Sequence, residues 1–107
     1  MVDEAVINGV RQYLRRLAAH GIPTRLAVVF GSQASGHGTP WSDVDLIVIS
    51  PVFDGCYSRD LINRLWREAA RTDSRIEPIP CGVRQWREDT ATPILEVARR
   101  EGIAVEL

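Results

Sequence analysis

The sequence contains no lysine, because all thirteen of its basic residues are arginines. A chain without lysine cannot supply the phosphate-binding lysine of a P-loop, and it cannot supply a lysine nucleophile. Fourteen acidic residues balance the arginines and give a formal net charge of −1. Proteins that bind nucleic acids in general carry a marked basic excess, so we expect no general affinity for DNA or RNA.

Cysteine and long apolar runs are also scarce. Cys56 and Cys81 are too few and too far apart for a zinc cluster or a disulfide framework, so two reduced thiols are expected. No apolar run approaches the roughly 20 residues that cross a membrane, and the first residues lack the basic and apolar regions of a signal peptide. We therefore expect a cytoplasmic protein with one domain, residues 1–107.

Helical and extended patterns alternate along the chain. Apolar spacing predicts helices over 3–19, 59–71 and 93–102, and strands over 25–30, 43–50, 75–80 and 103–107. Such alternation indicates an α/β (α+β) fold with a mixed sheet of about four strands and helices packed on it. The first two strands are joined by a loop too short for a helical crossover, which favours antiparallel pairing. The second and third strands are far enough apart in sequence for a parallel crossover.

The three tryptophans have different predicted environments. Trp66 falls on the apolar stripe of the second helix and is predicted to be core. Trp41 lies in a loop, where it either packs on the edge of the sheet or stacks on a base. Trp86 lies in a polar stretch and suggests a surface that a partner covers.

Two short motifs flank the loop between the first two strands. Gly31 and Ser32 end the first strand, where a glycine allows close backbone approach and a serine at the start of a helical turn favours an anion. Asp43 follows Ser32 by eleven residues, and Asp45 lies on the same face of the second strand because side chains alternate. Antiparallel pairing would bring the two motifs together.

The paired aspartates favour a metal-binding interpretation. Like charges side by side on a strand repel, so they give the strand no structural advantage. Hard oxygen ligands suit Mg²⁺, whose coordination shell a phosphate-bearing substrate can complete. Each motif alone has an ordinary explanation, a strand-ending turn for the first and a solvated strand edge for the second. Their spacing between two strands makes the combination specific.

The combined motif resembles a known signature. Gly31-Ser32-Gln-Ala-Ser-Gly36, five further residues, and then Ser42-Asp43-Val44-Asp45-Leu46 are similar to the signature of the DNA polymerase β-like nucleotidyltransferase superfamily, and in particular to its minimal, MNT-type, antitoxin-like members. The resemblance covers essentially the whole chain and implies a nucleotidyltransferase fold. Ser35 is a departure, because the family frequently has a basic residue at this position.

The resemblance also implies roles for individual residues. Gly31 and Ser32 would hold the triphosphate of ATP or another NTP, and Asp43 and Asp45 would bind two Mg²⁺ ions. Glu77 matches the third carboxylate, which shares one metal and activates the acceptor hydroxyl. Two metals can stabilise the attacking and leaving oxygens of an in-line displacement, which accounts for three acids in one site.

Three functions are compatible with this pattern. By resemblance, the first is an Mg²⁺-dependent enzyme that transfers AMP to a tyrosine of a helical HEPN-type partner, as the antitoxin of a toxin–antitoxin pair. The second is a weak or inactive nucleotidyltransferase-fold module that neutralises or scaffolds a partner. The third, a small-molecule transferase of the aminoglycoside type, needs an acceptor site that only an oligomeric neighbour could complete. A homo-oligomer therefore stays open.

Overall fold

Four strands form one mixed sheet. A computed structural model describes residues 3–39 and 41–107, so that Met1, Val2 and Pro40, which belong to the expected single domain, lie outside the described residues. The strands are β1 (Leu26–Phe30), β2 (Val44–Ile49), β3 (Ile76–Cys81) and β4 (Ile103–Glu106), in the order β3-β2-β1-β4. β1 is antiparallel to β2 and β4, whereas β2 is parallel to β3. Both predicted pairings, antiparallel β1–β2 and parallel β2–β3, are confirmed.

Helices cover both faces of the sheet. They are α1 (Glu4–Ala19), α2 (Ser32–Ser35), α3 (Arg59–Thr72), α4 (Val83–Glu88) and α5 (Pro93–Glu101), with a 3₁₀ turn at Pro51–Phe53. Asp3 caps α1 by accepting a hydrogen bond from the amide of Ala5 at 2.9 Å, and α5 begins with a proline as predicted. The three long helices confirm the sequence-based expectation, whereas α4 was not predicted.

Strand alternation divides the apolar residues between two cores. The larger core lies between the sheet and the helices α1 and α3, and includes Leu14, Leu17, Val29, Leu46, Leu65 and Ile76. The smaller core lies between the opposite face and the helices α4 and α5, and includes Val28, Phe30, Ile47, Ile49, Leu95 and Ala98. Within β2, Leu46 and Val48 face the first core while Ile47 and Ile49 face the second. The sheet is therefore buried on both faces along most of its length.

The predicted core position of Trp66 is wrong, because its side chain is 48% exposed. The buried face of α3 is centred on Leu65 and Ala69, and Trp66 lies about a quarter-turn to one side at 100° per residue. The position that completes this face is Glu68, which is only 1% exposed. Hydrophobicity alone would instead bury Trp66 and expose Glu68.

Two arginines and a histidine lie around the buried Glu68 between α1 and α3. The guanidinium of Arg16 lies 2.9 Å from its Oε1, that of Arg71 lies 3.4 Å from its Oε2, and the His20 ring lies 3.9 Å from Oε2. Nearby, the Tyr13 hydroxyl donates to the carbonyl of Leu65 at 2.8 Å, and burial raises the pKa of this tyrosine. A buried carboxylate is tolerated when it is paired in this way.

Trp86 lies on α4 and not in an open polar stretch. It is half-buried against the second core, and the Arg99 guanidinium lies 4.9 Å from the centre of its ring. Arg99 also donates to the carbonyl of Trp86 at 2.6 Å. Residues of the same chain therefore cover part of the Trp86 side chain, and a partner-covered surface at its exposed part stays a prediction.

Two further expectations concern cysteines and membranes. Cys56 is exposed, Cys81 is buried, and both are free thiols, as predicted. Over residues 3–39 and 41–107, no helix has both the length and the apolar character needed to cross a bilayer.

Candidate active site

A tight turn connects β1 to α2 at one end of the sheet. Gly31 has a φ of 74°, in the region that favours glycine, and it precedes Ser32, the first residue of α2. A Cβ built on Gly31 would collide with a carboxylate oxygen of Asp45. Glycine is therefore required here for its backbone conformation and for the approach of Asp45, so the two sequence motifs are in direct contact.

Two of the predicted acids lie side by side on neighbouring strands. Asp45 on β2 is the register partner of Glu77 on β3, and of Phe30 on β1. The carboxyl groups of Asp45 and Glu77 lie close enough to share a hydrogen bond when one of them is protonated. Both residues are half-buried on the sheet face that carries the second core, and Asp45 lies close to the turn at Gly31.

Asp43 lies one residue before β2, and its side chain is exposed. Strand alternation places it on the same face as Asp45, and its charge acts on both other acids. The structure thus brings Asp43, Asp45 and Glu77 together at one end of the sheet. Glu77 lies on β3, an edge strand of the sheet.

The three carboxyl groups perturb one another. Burial raises the pKa of Asp45, the hydrogen bond from Glu77 partly offsets this rise, and the charge of Asp43 adds to it. The negative charge of Asp43 is the main reason that the pKa of Glu77 is raised, with burial and Asp45 contributing further. The fully ionised site is therefore electrostatically unfavourable without a cation.

The donor set fits Mg²⁺ in its chemistry. All three side chains offer hard carboxylate oxygens, which Mg²⁺ binds together with phosphate oxygens and water. In the part of the chain that the structure describes, however, no three acidic, histidine or cysteine side chains already stand in the geometry of a metal site. A cation bound here would have to replace the close contact between the Asp45 and Glu77 carboxyl groups.

The hydroxyl groups after Gly31 have different environments. Ser32 is exposed at the start of α2, directly after the Gly31 turn that lies against Asp45. Ser35 donates its hydroxyl to the carbonyl of Ser32 at 3.1 Å and contacts the exposed His37 ring at 3.1 Å. Ser35 thus stabilises the α2 turn itself, in the position where the resemblance leads one to expect a basic residue.

The mouth of the site is open. Trp41 lies two residues before Asp43 and is 84% exposed, so the expectation that it packs on the sheet edge is wrong. Its amide donates to the hydroxyl of Thr39 at 3.3 Å. The indole is therefore available to a ligand or a partner next to the acids.

Sequence reasoning missed Gln33. This residue of α2 is 6% exposed, and its amide group contacts the loop that leads into Asp43. A glutamine in a short segment of small residues carries no periodic signal, so its burial could not be inferred from the pattern.

A mixed sheet that joins a glycine–serine turn to three carboxylates defines the class of the protein, a nucleotidyltransferase fold. A family model described as "Nucleotidyltransferase domain" matches residues 7–98, and the chain belongs to this family. Its MNT-type resemblance is consistent with this assignment.

Two solved structures are similar to the chain. A Sulfolobus solfataricus protein described as a nucleotidyltransferase is 14% identical, with a TM-score of 0.57 over 92% of this chain and 77% of that one. A toxin–antitoxin structure solved with AMP-PNP is 22% identical, with a TM-score of 0.60 over 92% of this chain and 71% of that one. At these identities the two structures support the fold. A comparison with curated proteins gave no significant match.

Proposed function

We propose that this nucleotidyltransferase transfers AMP from ATP to a tyrosine hydroxyl of a helical HEPN-type partner protein, as the antitoxin of a toxin–antitoxin pair. The observation that carries the proposal is the contact of Gly31 with Asp45, which in turn pairs with Glu77. This contact places a backbone turn able to accept a triphosphate beside an acidic cluster able to bind divalent cations. The cytoplasm, where ATP is abundant, is the expected location.

The roles of the side chains are those that the family resemblance implies, and their positions support this proposal. Gly31 and Ser32 present backbone amides and a hydroxyl to the triphosphate, while Asp43, Asp45 and Glu77 hold two Mg²⁺ ions. The bound ions supply charge neutralisation at the phosphates. The acceptor oxygen forms a bond to the α-phosphorus, the bond to the β-phosphate oxygen breaks, and pyrophosphate leaves. Glu77 takes the proton of the acceptor hydroxyl, the role that the resemblance implies for the third carboxylate.

The openness of the site supports an acceptor carried by a second protein. Asp43 and Trp41 are exposed, and the acids lie at the end of the sheet rather than deep within a cleft. A partner surface would exclude water and present the hydroxyl. The similar structure described as a toxin–antitoxin with AMP-PNP supports both a protein partner and an adenine nucleotide.

Label transfer tests the proposal. The protein is mixed with the purified product of the adjacent reading frame, Mg²⁺ and ATP labelled at its α-phosphate. We expect label on a tyrosine of the second protein, one pyrophosphate released per label, and a loss of at least about 100-fold in the Asp43→Asn, Asp45→Asn double variant. Asp60→Asn, an exposed aspartate on α3, is the matched control and should transfer normally.

The same experiment distinguishes the alternative of a binding module without turnover. That alternative is favoured by one observation, the absence of a preformed three-ligand metal geometry within residues 3–39 and 41–107. A module would neutralise the partner equally well with or without the two aspartates. Undiminished neutralisation by the double variant, together with no Mg²⁺-dependent ATP binding in calorimetry, would reject the enzymatic proposal.

A further inference from the structure

Gln33 connects α2 to the loop that precedes the catalytic aspartates. Its side-chain nitrogen lies 3.2 Å from the carbonyl oxygen of Thr39 and 3.2 Å from that of Ser42. Both partners are carbonyls, which only accept, so the amide must present its NH₂ group to them. Each of its two N–H groups thus has one acceptor, and the buried side chain is satisfied within the loop.

Thr39 and Ser42 are also bonded to each other. The Ser42 amide donates to the Thr39 carbonyl at 3.1 Å, and the Thr39 amide donates to the Ser42 hydroxyl at 2.9 Å. The two hydroxyls lie 3.0 Å apart. The Gln33 contacts are therefore made to a loop end that already has a defined shape, and they fix that loop end relative to α2.

This loop end determines where Asp43 lies. The β1–β2 register ends at Asp45 and the β2–β3 register ends at Val44, so the backbone of Asp43 lies outside both ladders. On its C-terminal side, the Val44 amide donates to the carbonyl of Arg75 at 2.8 Å. On its N-terminal side, the carbonyl bonded by Gln33 belongs to the peptide unit between Ser42 and Asp43.

Gly38 provides an independent sign that Gln33 and the loop are closely fitted. A Cβ at Gly38 would lie 2.5 Å from Oε1 and 2.7 Å from Cδ of Gln33. Any Cβ at this position would therefore require the Gln33 side chain to move, although the φ of Gly38 is not in the left-handed region. Space has therefore been left for this side chain.

We propose that Gln33 is a positioning residue, which sets the metal-binding carboxylate of Asp43 by holding the Thr39 and Ser42 carbonyls through its amide. The expected effect on Mg²⁺ binding rests on the proposed function, in which Asp43 is an Mg²⁺ ligand. The fixing of the loop by Gln33 does not depend on activity. Residues that orient metal ligands commonly change affinity about 10- to 100-fold when altered.

The test compares Gln33→Glu and Gln33→Met with the wild-type protein. Gln33→Glu places carboxylate oxygens against two carbonyl oxygens. Gln33→Met keeps the length of the side chain but has no hydrogen-bond donor. For both we expect the Mg²⁺ concentration that half-saturates binding of α,β-methylene ATP to rise about 10- to 100-fold. Amide hydrogen exchange of Ser42 should accelerate, while exchange in the middle of β2 stays unchanged.

Gly38→Ala should reproduce these effects because it displaces the same side chain, and Gln12→Glu on the exposed face of α1 should show neither. An unchanged Mg²⁺ requirement in folded Gln33 variants would overturn the proposal. So would accelerated exchange throughout β2, which would indicate global destabilisation alone. If the wild-type protein binds no nucleotide, the proposed function fails, and Ser42 exchange still decides whether Gln33 fixes the loop.

Discussion

At the scale of single residues, the acidic cluster is costly to the free protein. Asp43 and Asp45 both raise the pKa of Glu77, and burial raises that of Asp45. A carboxyl group with a raised folded-state pKa binds more protons in the native state than in the unfolded state. Stability therefore falls as the pH rises through the interval between the ordinary and the raised pKa. Active sites commonly contain residues that lower the stability of the folded protein.

Removing one charge should therefore stabilise the metal-free protein. We predict that Asp45→Asn, which can keep a hydrogen bond to Glu77, raises the free energy of unfolding at pH 7.5 by about 1 kcal/mol, or Tm by roughly 4–8 °C. Thermal unfolding in a chelating buffer measures this. Asp60→Asn serves as the control and should not raise Tm. A Tm for Asp45→Asn at or below that of the wild type would contradict the predicted repulsion.

The candidate site residues were largely accessible from the sequence because local rules govern them. Alternation places Asp43 and Asp45 on one face, and a short loop pairs their strand with the one that ends at Gly31. The burial of Gln33 and the exposure of Trp41 depend on how the loop between those strands packs. No periodicity describes that packing, so neither could be predicted.

At the scale of elements, α1, α3 and α5 follow from local sequence patterns, whereas α4 depends on a contact with a distant part of the chain. The three longer helices have amphipathic spacing or a Thr-Pro start that can be recognised in the sequence. α4 has six residues, and its first turn is held by Asp54, which accepts a hydrogen bond from the amide of Arg84 at 3.0 Å. This partner is 30 residues away along the chain. A helix fixed by such a contact cannot be predicted from its own composition.

The start of α5 gives a pH-dependent prediction. Asp89 accepts hydrogen bonds from the Thr92 hydroxyl at 2.6 Å and from the amides of Ala91 and Thr92 at 2.8 and 3.0 Å. These bonds lower its pKa to about 2, so the charged form is favoured in the folded state. The stabilisation is therefore complete above the ordinary pKa near 4 and is lost as the pH falls toward 2.

Asp89→Ala should consequently lower Tm at pH 7. The difference in Tm between this variant and the wild type should become smaller as the pH falls from 4 to 2. Thermal unfolding across this range, followed by circular dichroism, provides the measurement. For Glu88→Ala, at the exposed neighbouring position, the difference in Tm from the wild type should not become smaller over this pH range. A difference between Asp89→Ala and wild type that is equally large at pH 2 and pH 7 would show that the carboxylate bonds are not responsible.

At the scale of the whole molecule, the sheet links the site to the global stability. β1 and β2 are the central strands, each carries one of the site motifs at its end, and both helical layers pack on them. A ligand that holds Gly31, Asp43 and Asp45 together can bind only when β1 and β2 are paired. Because such a ligand binds the native state and not the unfolded state, it must stabilise the fold through mass action.

This linkage can be measured without an acceptor protein. With α,β-methylene ATP and Mg²⁺ at about 100 times the dissociation constant, the free energy of unfolding should increase by about 2.7 kcal/mol. In a chain of this size that corresponds to a rise in Tm of roughly 10 °C or more. A chelator should reverse the rise, because the nucleotide phosphates and the three carboxylates repel one another unless cations lie between them. Asp60→Asn should respond as the wild type does, and the Asp43→Asn, Asp45→Asn variant should not respond. If that variant gains as much stability as the wild type, the nucleotide binds elsewhere, and the end of the sheet at Gly31 does not hold the triphosphate.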